Sequence, residues 1–290
     1  MKTISFFSEK GGVGKSTFSI MYASWLHYKF GVKVGLADFN DRITRYRSAE
    51  IAKREELRKS KPDIPSLNEA SAWPIATVKV KDIEQLRRNG ASKPYAHWFV
   101  EQIQGPLAGM DIILCDFPGN LSGHEFIEMA GFKLLNLVVI PTERDPMTIQ
   151  STRKLQKMLT VAELNHCVFI NKAQVGLRNL RSYYTVFGQE LMKSNMPLLP
   201  DMVSYSERIM AIEKLDNIRS TFGFPDFSLP EYENGKDLGI ENLFIDVTRE
   251  LAKTPDLKGT IPTDLSFVKG LTKNQDGRQL VGTAFPEYEI

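Results

Sequence analysis

The chain has 290 residues, 42% of them hydrophobic and 25% charged, with a formal charge of +2. That length suits one large α/β domain or at most two, and the near-neutral balance excludes a polycation, so any nucleic-acid contact has to come from a local patch. No apolar run approaches the roughly 20 residues of a membrane span, the first residues lack a signal-peptide layout, and two cysteines make neither a disulfide framework nor a four-ligand zinc site. The expected compartment is the cytoplasm.

In chain order, short apolar runs alternate with longer amphipathic stretches, the pattern of a mostly parallel sheet covered by helices. "TISFF" reads as the first strand and Ser16 to Phe30 as a helix, with Phe18, Tyr22 and Leu26 on one face and Trp25 alongside. "VKVGLAD" is the second strand. Residues 42–70 are highly charged and then Pro-broken, which predicts a surface helix followed by a loop; its basic residues outnumber its acids. "WPIATVKV" predicts an edge strand, and "YAHWFVEQI" a helix. "MDIILCDF", "LLNLVVIP" and "HCVFINK" are buried-strand candidates, and Cys115 and Cys167 inside them are expected to be inert core thiols. Each ends in an acid, Pro or polar pair, where open α/β sheets place ligands. The expected organisation is one domain over residues 1–253 and a Gly-, Pro- and Thr-rich tail over 254–290, docked or flexible.

The stretch "SFFSEKGGVGKST" places a glycine-rich loop between a strand and a helix. Gly11, Gly12, Val13 and Gly14 let backbone N–H groups turn onto phosphate oxygens, and the helix N-terminus adds its dipole. Lys15 is placed to reach the β- and γ-phosphates, the Ser16 hydroxyl to ligate Mg²⁺, and Thr17 to contact the α-phosphate. K-G-G-x-G-K-[ST] arises by chance on the order of once in ten thousand such chains. The strict pattern G-x-x-x-x-G-K-[ST] fails at Glu9, and a second lysine, Lys10, precedes the glycines.

Both departures resemble the deviant Walker A motif of the ParA/MinD/MipZ family of P-loop ATPases, and "EKGG" is similar to the MipZ branch. The resemblance implies a doubly wound, mostly parallel α/β fold, ATP and Mg²⁺ as ligands, and an ATP-dependent homodimer. In that dimer Lys10 is the signature residue and reaches the partner subunit's phosphates. It also implies that Asp38 in "VKVGLADFND" is the first acid of a D-x-D pair and that Asp116 in "DIILCDFPG" is the Walker B acid. Asp116 would hold Mg²⁺ through water, with Ser16 and Asp38. Asn171 and Lys172 in "FINK" stand where the base is recognised, and "LLPDMVSYSERIMAIEKL" is similar to the late segment flanking adenine. The resemblance covers roughly residues 1–250; residues 42–100 and the tail are unmatched.

The second acid of the pair is Asn40 here. An amide is no carboxylate base, yet phosphoryl transfer depends mainly on positioning and electrostatics, and a neutral glutamine orients water in some GTPases. The expectation is slow hydrolysis with catalytic candidates Lys10, Lys15, Asp38 and Asn40; Asp41 is an alternative in a shifted register, and Asn40 as a plain turn residue stays open. Nonspecific DNA is the expected surface partner, through Arg178, Arg181, Lys193, Arg208, Lys214 and Arg219 or the cluster Arg153, Lys154 and Lys157. A centromere-binding or other adaptor protein is expected beside it, with nucleoid association as a corollary. The ending "QLVGTAFPEYEI" has no basic amphipathic helix for a membrane. A metabolic P-loop ligase or kinase and a nonhydrolysing ATP-gated adaptor in DNA transfer are the competing readings.

Overall fold

Strand β1 (Lys2–Phe6) lies between β4 (Ile112–Asp116) and β5 (Leu137–Thr142), and everything about the site follows from that placement. In the computed structural model, β2 (Val34–Asp38), β3 (Ile75–Thr77) and β6 (His166–Ile170) complete a six-stranded sheet in the order β3-β2-β4-β1-β5-β6. All five pairings are parallel. The residues described are 1–62, 72–91, 93–118, 126, 134–173, 191, 196–207, 209, 232–233 and 236–255.

The chain moves to opposite sides of β1 in its first and second halves, which opens a crevice at the C-terminal ends of the strands. The fold is the doubly wound, parallel α/β type that the sequence predicts, with "WPIATVKV" contributing the edge strand β3. β7 (Tyr232–Glu233) and β8 (Lys236–Asp237) form a separate antiparallel pair.

Covered on both faces, the central strands carry apolar residues at consecutive positions. Ile4, Phe6, Leu114 and Val139 enter one core with Phe18, Tyr22 and Phe169, while Ile113, Cys115 and Val138 enter the other with Phe7, Phe39 and Phe117. Both cysteines are buried and free, and burial pushes both thiols well above their ordinary range. Among the described residues no helix is long and apolar enough to cross a membrane.

The helices are α1 (Lys15–Ser24), α2 (Arg42–Ser60), α3 (Val80–Arg88), α4 (Pro94–Gln104), α5 (Pro146–Val161) and α6 (Ile240–Lys253). The predicted helix from Ser16 to Phe30 is not one regular α-helix. After Ser24 it widens into a π-helical turn, Trp25–Lys29, where the Trp25 ring packs on Phe30 and Phe244 and its Nε1 donates to Glu241. Such i→i+5 turns occur mostly as single-turn insertions in α-helices. Helix α1 is buried along its whole length, and Tyr22 hydrogen bonds to Thr248 of α6 at 2.8 Å. On β2, a Cβ at Gly35 would lie 2.9 Å from the Leu107 side chain, so a larger residue there would have to displace Leu107 and Met110.

Candidate functional site

The loop between β1 and α1 turns on two glycines in the left-handed region, Gly12 (φ 75°) and Gly14 (φ 90°). A Cβ at Gly14 would also press to 3.0 Å from Phe18 and 3.3 Å from Asn171. Such a loop presents successive N–H groups to an anion, reinforced by the α1 N-terminus. Lys15 is buried at its foot, and its Nζ donates to the Lys10 carbonyl at 2.7 Å, closing the loop on itself. Burial lowers its pKa to about 8, opposed by Asp116 and assisted by the positive charge of Arg42. An anion on the loop supplies the negative charge that this buried ammonium needs.

Asp38 and Asp116 end adjacent strands in direct register and are both buried. Their side chains do different things. Asp116 Oδ2 accepts from Ser16 Oγ at 2.8 Å and from Asn40 Nδ2 at 3.1 Å. Asp38 instead accepts from the Thr44 N–H at 2.8 Å, the Thr44 hydroxyl at 2.9 Å and the Asn40 N–H at 3.2 Å. Thr44 in turn hydrogen bonds to Thr77 on β3. A continuous chain thus runs from the loop serine through Asp116, Asn40 and Asp38 to the first turn of α2 and the sheet edge. Burial, then the neighbouring Asp38, pushes the Asp116 carboxyl up to about 7, and burial raises Asp38 as well.

Mg²⁺ characteristically binds through one or two protein oxygens, waters and substrate phosphates rather than a protein cage. The residues fit that mode. Asp116 Oδ1 is buried without a hydrogen-bond partner, while its Oδ2 meets the Ser16 hydroxyl. A hydrated cation would satisfy that oxygen and favour the ionised acid.

Lys10 sits on the other rim. Its Nζ contacts Asp145 Oδ2 at 2.7 Å and Thr148 Oγ1 at 2.6 Å in its own chain. Asp145 is the N-cap of α5, accepting from the Thr148 N–H at 2.9 Å, with Pro146 in the first turn. Lys10 and Thr148 hold the Asp145 carboxyl far below the usual range. Asn171 braces the loop, its Nδ2 donating to the Val13 carbonyl at 3.0 Å, and Lys172 Nζ reaches the Gly12 carbonyl and Glu143, each at 2.7 Å. A narrow cleft beside them is lined by Gly12, Thr17, Phe18, Asn171, Tyr205 and Ser206. Lys154 of α5 lies 3.6 Å from Glu9, with Arg153 half-buried and Lys157 exposed. Arg178, Arg181, Lys193, Arg208, Lys214 and Arg219 lie outside the described residues.

Thr44, Asp145, Thr148 and Glu143 are site residues that sequence reading did not select. For Asp145 a signal existed, since Asp-Pro-x-Thr is a helix-start pattern, but nothing local ties it to Lys10, 135 positions away.

A sequence model described as ATPase MipZ matches residues 2–143, which include the loop, Asp38, Asn40 and Asp116. No curated protein sequence matches the chain. Among solved structures, the MinD cell division protein of Aquifex aeolicus superposes with a TM-score of 0.55 at 16% identity, covering 89% of this chain and 100% of that one. A Borrelia burgdorferi B31 protein assigned to plasmid partition, bound to AMPPNP, gives 0.55 at 17% identity over 87% and 98% of the two chains. A ParA family ATPase of Chlorobium tepidum TLS gives 0.53 at 15% over 83% and 96%.

Proposed function

We propose that this chain, which belongs to the ParA/MinD/MipZ family of P-loop ATPases, is a slow ATP-driven switch. In this reading it dimerises on Mg-ATP through Lys10 and partitions or positions DNA or a DNA-associated complex. The observation that carries it is the amide of Asn40 hydrogen bonded to the Walker B acid Asp116, which Ser16 also holds.

Bound Mg²⁺ supplies charge neutralisation at the phosphates, and Ser16 and Asp116 are the residues that would hold it, with Asp38 behind Asn40. The loop N–H groups and Lys15 orient the phosphates, and Asn171 keeps the loop shaped around them. Asn40 stands where the family's second acid stands, but its amide carries no charge and its Oδ1 already accepts from the Arg42 N–H at 2.8 Å. It therefore positions groups without drawing a proton from water, and a bound triphosphate lasts long enough to hold two subunits together. The fold is shared with a plasmid partition protein that binds AMPPNP, which supports using nonhydrolysable analogues as probes. The DNA cargo and the adaptor partner are part of the proposal on family grounds.

Turnover of wild type and Asn40→Asp, with and without duplex DNA, tests the reading. Slow wild-type hydrolysis accelerated about tenfold or more by Asp supports it. A fast wild-type enzyme that Asp leaves unimproved contradicts it. The Lys10–Asp145 contact within one chain favours a second reading, a monomeric metabolic ligase or kinase in which Lys10 serves its own site.

A further inference from the structure

A cation stands at the mouth of the site. Arg42 is the first residue of α2, two positions after Asn40, and its side chain is exposed. Asn40 uses both ends of its amide: Nδ2 donates to Asp116 Oδ2 at 3.1 Å, and Oδ1 accepts from the Arg42 N–H at 2.8 Å. Ser16 Oγ meets the same Asp116 oxygen at 2.8 Å. A single side chain therefore tethers the Arg42 backbone to the acid beside the phosphate loop. From that anchor the guanidinium lies along the first turn of α2, with Nε donating to the Tyr46 hydroxyl at 2.6 Å and its carbon 5.3 Å from the ring centroid.

We propose that Arg42 contacts the γ-phosphate in its own subunit and gives the site its preference for triphosphate over diphosphate. The proposal rests on the nucleotide-switch reading and adds a residue to it. A guanidinium presents a planar fork of donors that matches phosphate oxygens two at a time. Arginines aimed at a transferring phosphoryl group recur across phosphoryl-transfer sites. Because the backbone N–H is already fixed by Asn40, the swing from Tyr46 to the phosphate needs side-chain torsions alone. A γ-phosphate held on the loop and Lys15 would draw the guanidinium toward the acid to which its backbone is already tethered.

The residue at position 40 decides whether this works. A carboxylate there would stand beside Asp116 and next to the Arg42 N–H, pair with the guanidinium and repel the phosphate. The neutral amide adds no such competing charge. Asn40 and Arg42 are thus matched: the departure that weakens hydrolysis strengthens retention of the triphosphate.

Competition against a fluorescent nucleotide measures dissociation constants for a nonhydrolysable ATP analogue and for ADP. Arg42→Ala is expected to weaken the ATP analogue by about ten- to a hundredfold and ADP by less than about threefold. Arg42→Lys, which keeps the charge and loses the fork, should fall between. In an Asn40→Asp background, Arg42→Ala should cost the ATP analogue less than about threefold. Equal weakening of both nucleotides, or of neither, overturns the proposal while Lys15-dependent binding persists, and an equal cost in both backgrounds overturns the pairing with Asn40. Wild-type protein that binds neither nucleotide, or a Lys15→Ala variant that binds as wild type does, removes the nucleotide reading itself and Arg42's role with it.

Discussion

The floor and the rim of the crevice are built on opposite physical terms. Lys15, Ser16, Asp38 and Asp116 make up the floor; all are buried, and they sit on strand ends or in the first turn of a helix packed along its whole length. Lys10 on Asp145 and Arg42 on Tyr46 make up the rim; these are held by side chains on helix starts and are open to solvent. Burial makes each floor charge expensive without its ligand, as the raised carboxyl of Asp116 and the lowered ammonium of Lys15 record. Rim contacts are screened by water and cost little to exchange. The proposed switch would use both, the floor to recognise phosphate and the rim to trade contacts when the ligand or a second subunit arrives.

Breaking the floor should do the most damage. Lys15→Ala is expected to weaken ATP and ADP alike by at least about a hundredfold, read by calorimetry, because one charge-assisted donor is lost and none replaces it. Equal binding by the variant would place the phosphates elsewhere.

The next effect is on stability. Burial and the neighbouring Asp38 push the Asp116 carboxyl up to about 7, against about 4 for an ordinary aspartate, so the metal-free native state holds a proton that the unfolded chain has released. Its contribution to stability is therefore lost as pH rises from about 4 to about 7 and is level above that, by up to roughly 4 kcal/mol. The raised Asp38 acts in the same direction. Urea unfolding in chelator should show wild type weakening across that window and Asp116→Asn weakening much less; parallel slopes would refute the coupling.

The smallest effect is expected at the rim. Lys10→Ala should change the affinity of a single chain for nucleotide by less than about threefold, since its ammonium is engaged with α5 and only its carbonyl holds Lys15.

The same contrast explains what could be read from the sequence. The floor was legible because its chemistry lies in short stretches: GKST after a strand, and an acid closing each of two apolar runs. Parallel order followed from strands apolar on both faces. The residues that brace floor and rim were not legible, because Asp145 reads locally as a helix cap, Thr44 as a polar position in a charged helix, and Glu143 as a loop acid. Asp145 acts through a contact 135 positions away, Glu143 through Lys172 of the next strand's end, and Thr44 through how the start of α2 is aimed at Asp38. Lys10 shows the limit well. Its motif was plain, but its position on Asp145 and Thr148 became visible only when β5 delivered α5 to the loop. The π-turn at Trp25–Lys29 was hidden for the same reason, since packing against α6 accompanies it and no local signal does.

The central claim is that ATP assembles two subunits and that Lys10 is the residue through which they meet. Light scattering behind size exclusion, with Mg²⁺ and a saturating nonhydrolysable ATP analogue, tests it most directly. The account predicts the mass of two chains for wild type, and one chain with ADP or for Lys10→Ala at full nucleotide occupancy. A wild-type chain that stays monomeric when saturated with the analogue, or a Lys10→Ala variant that still dimerises, would contradict it.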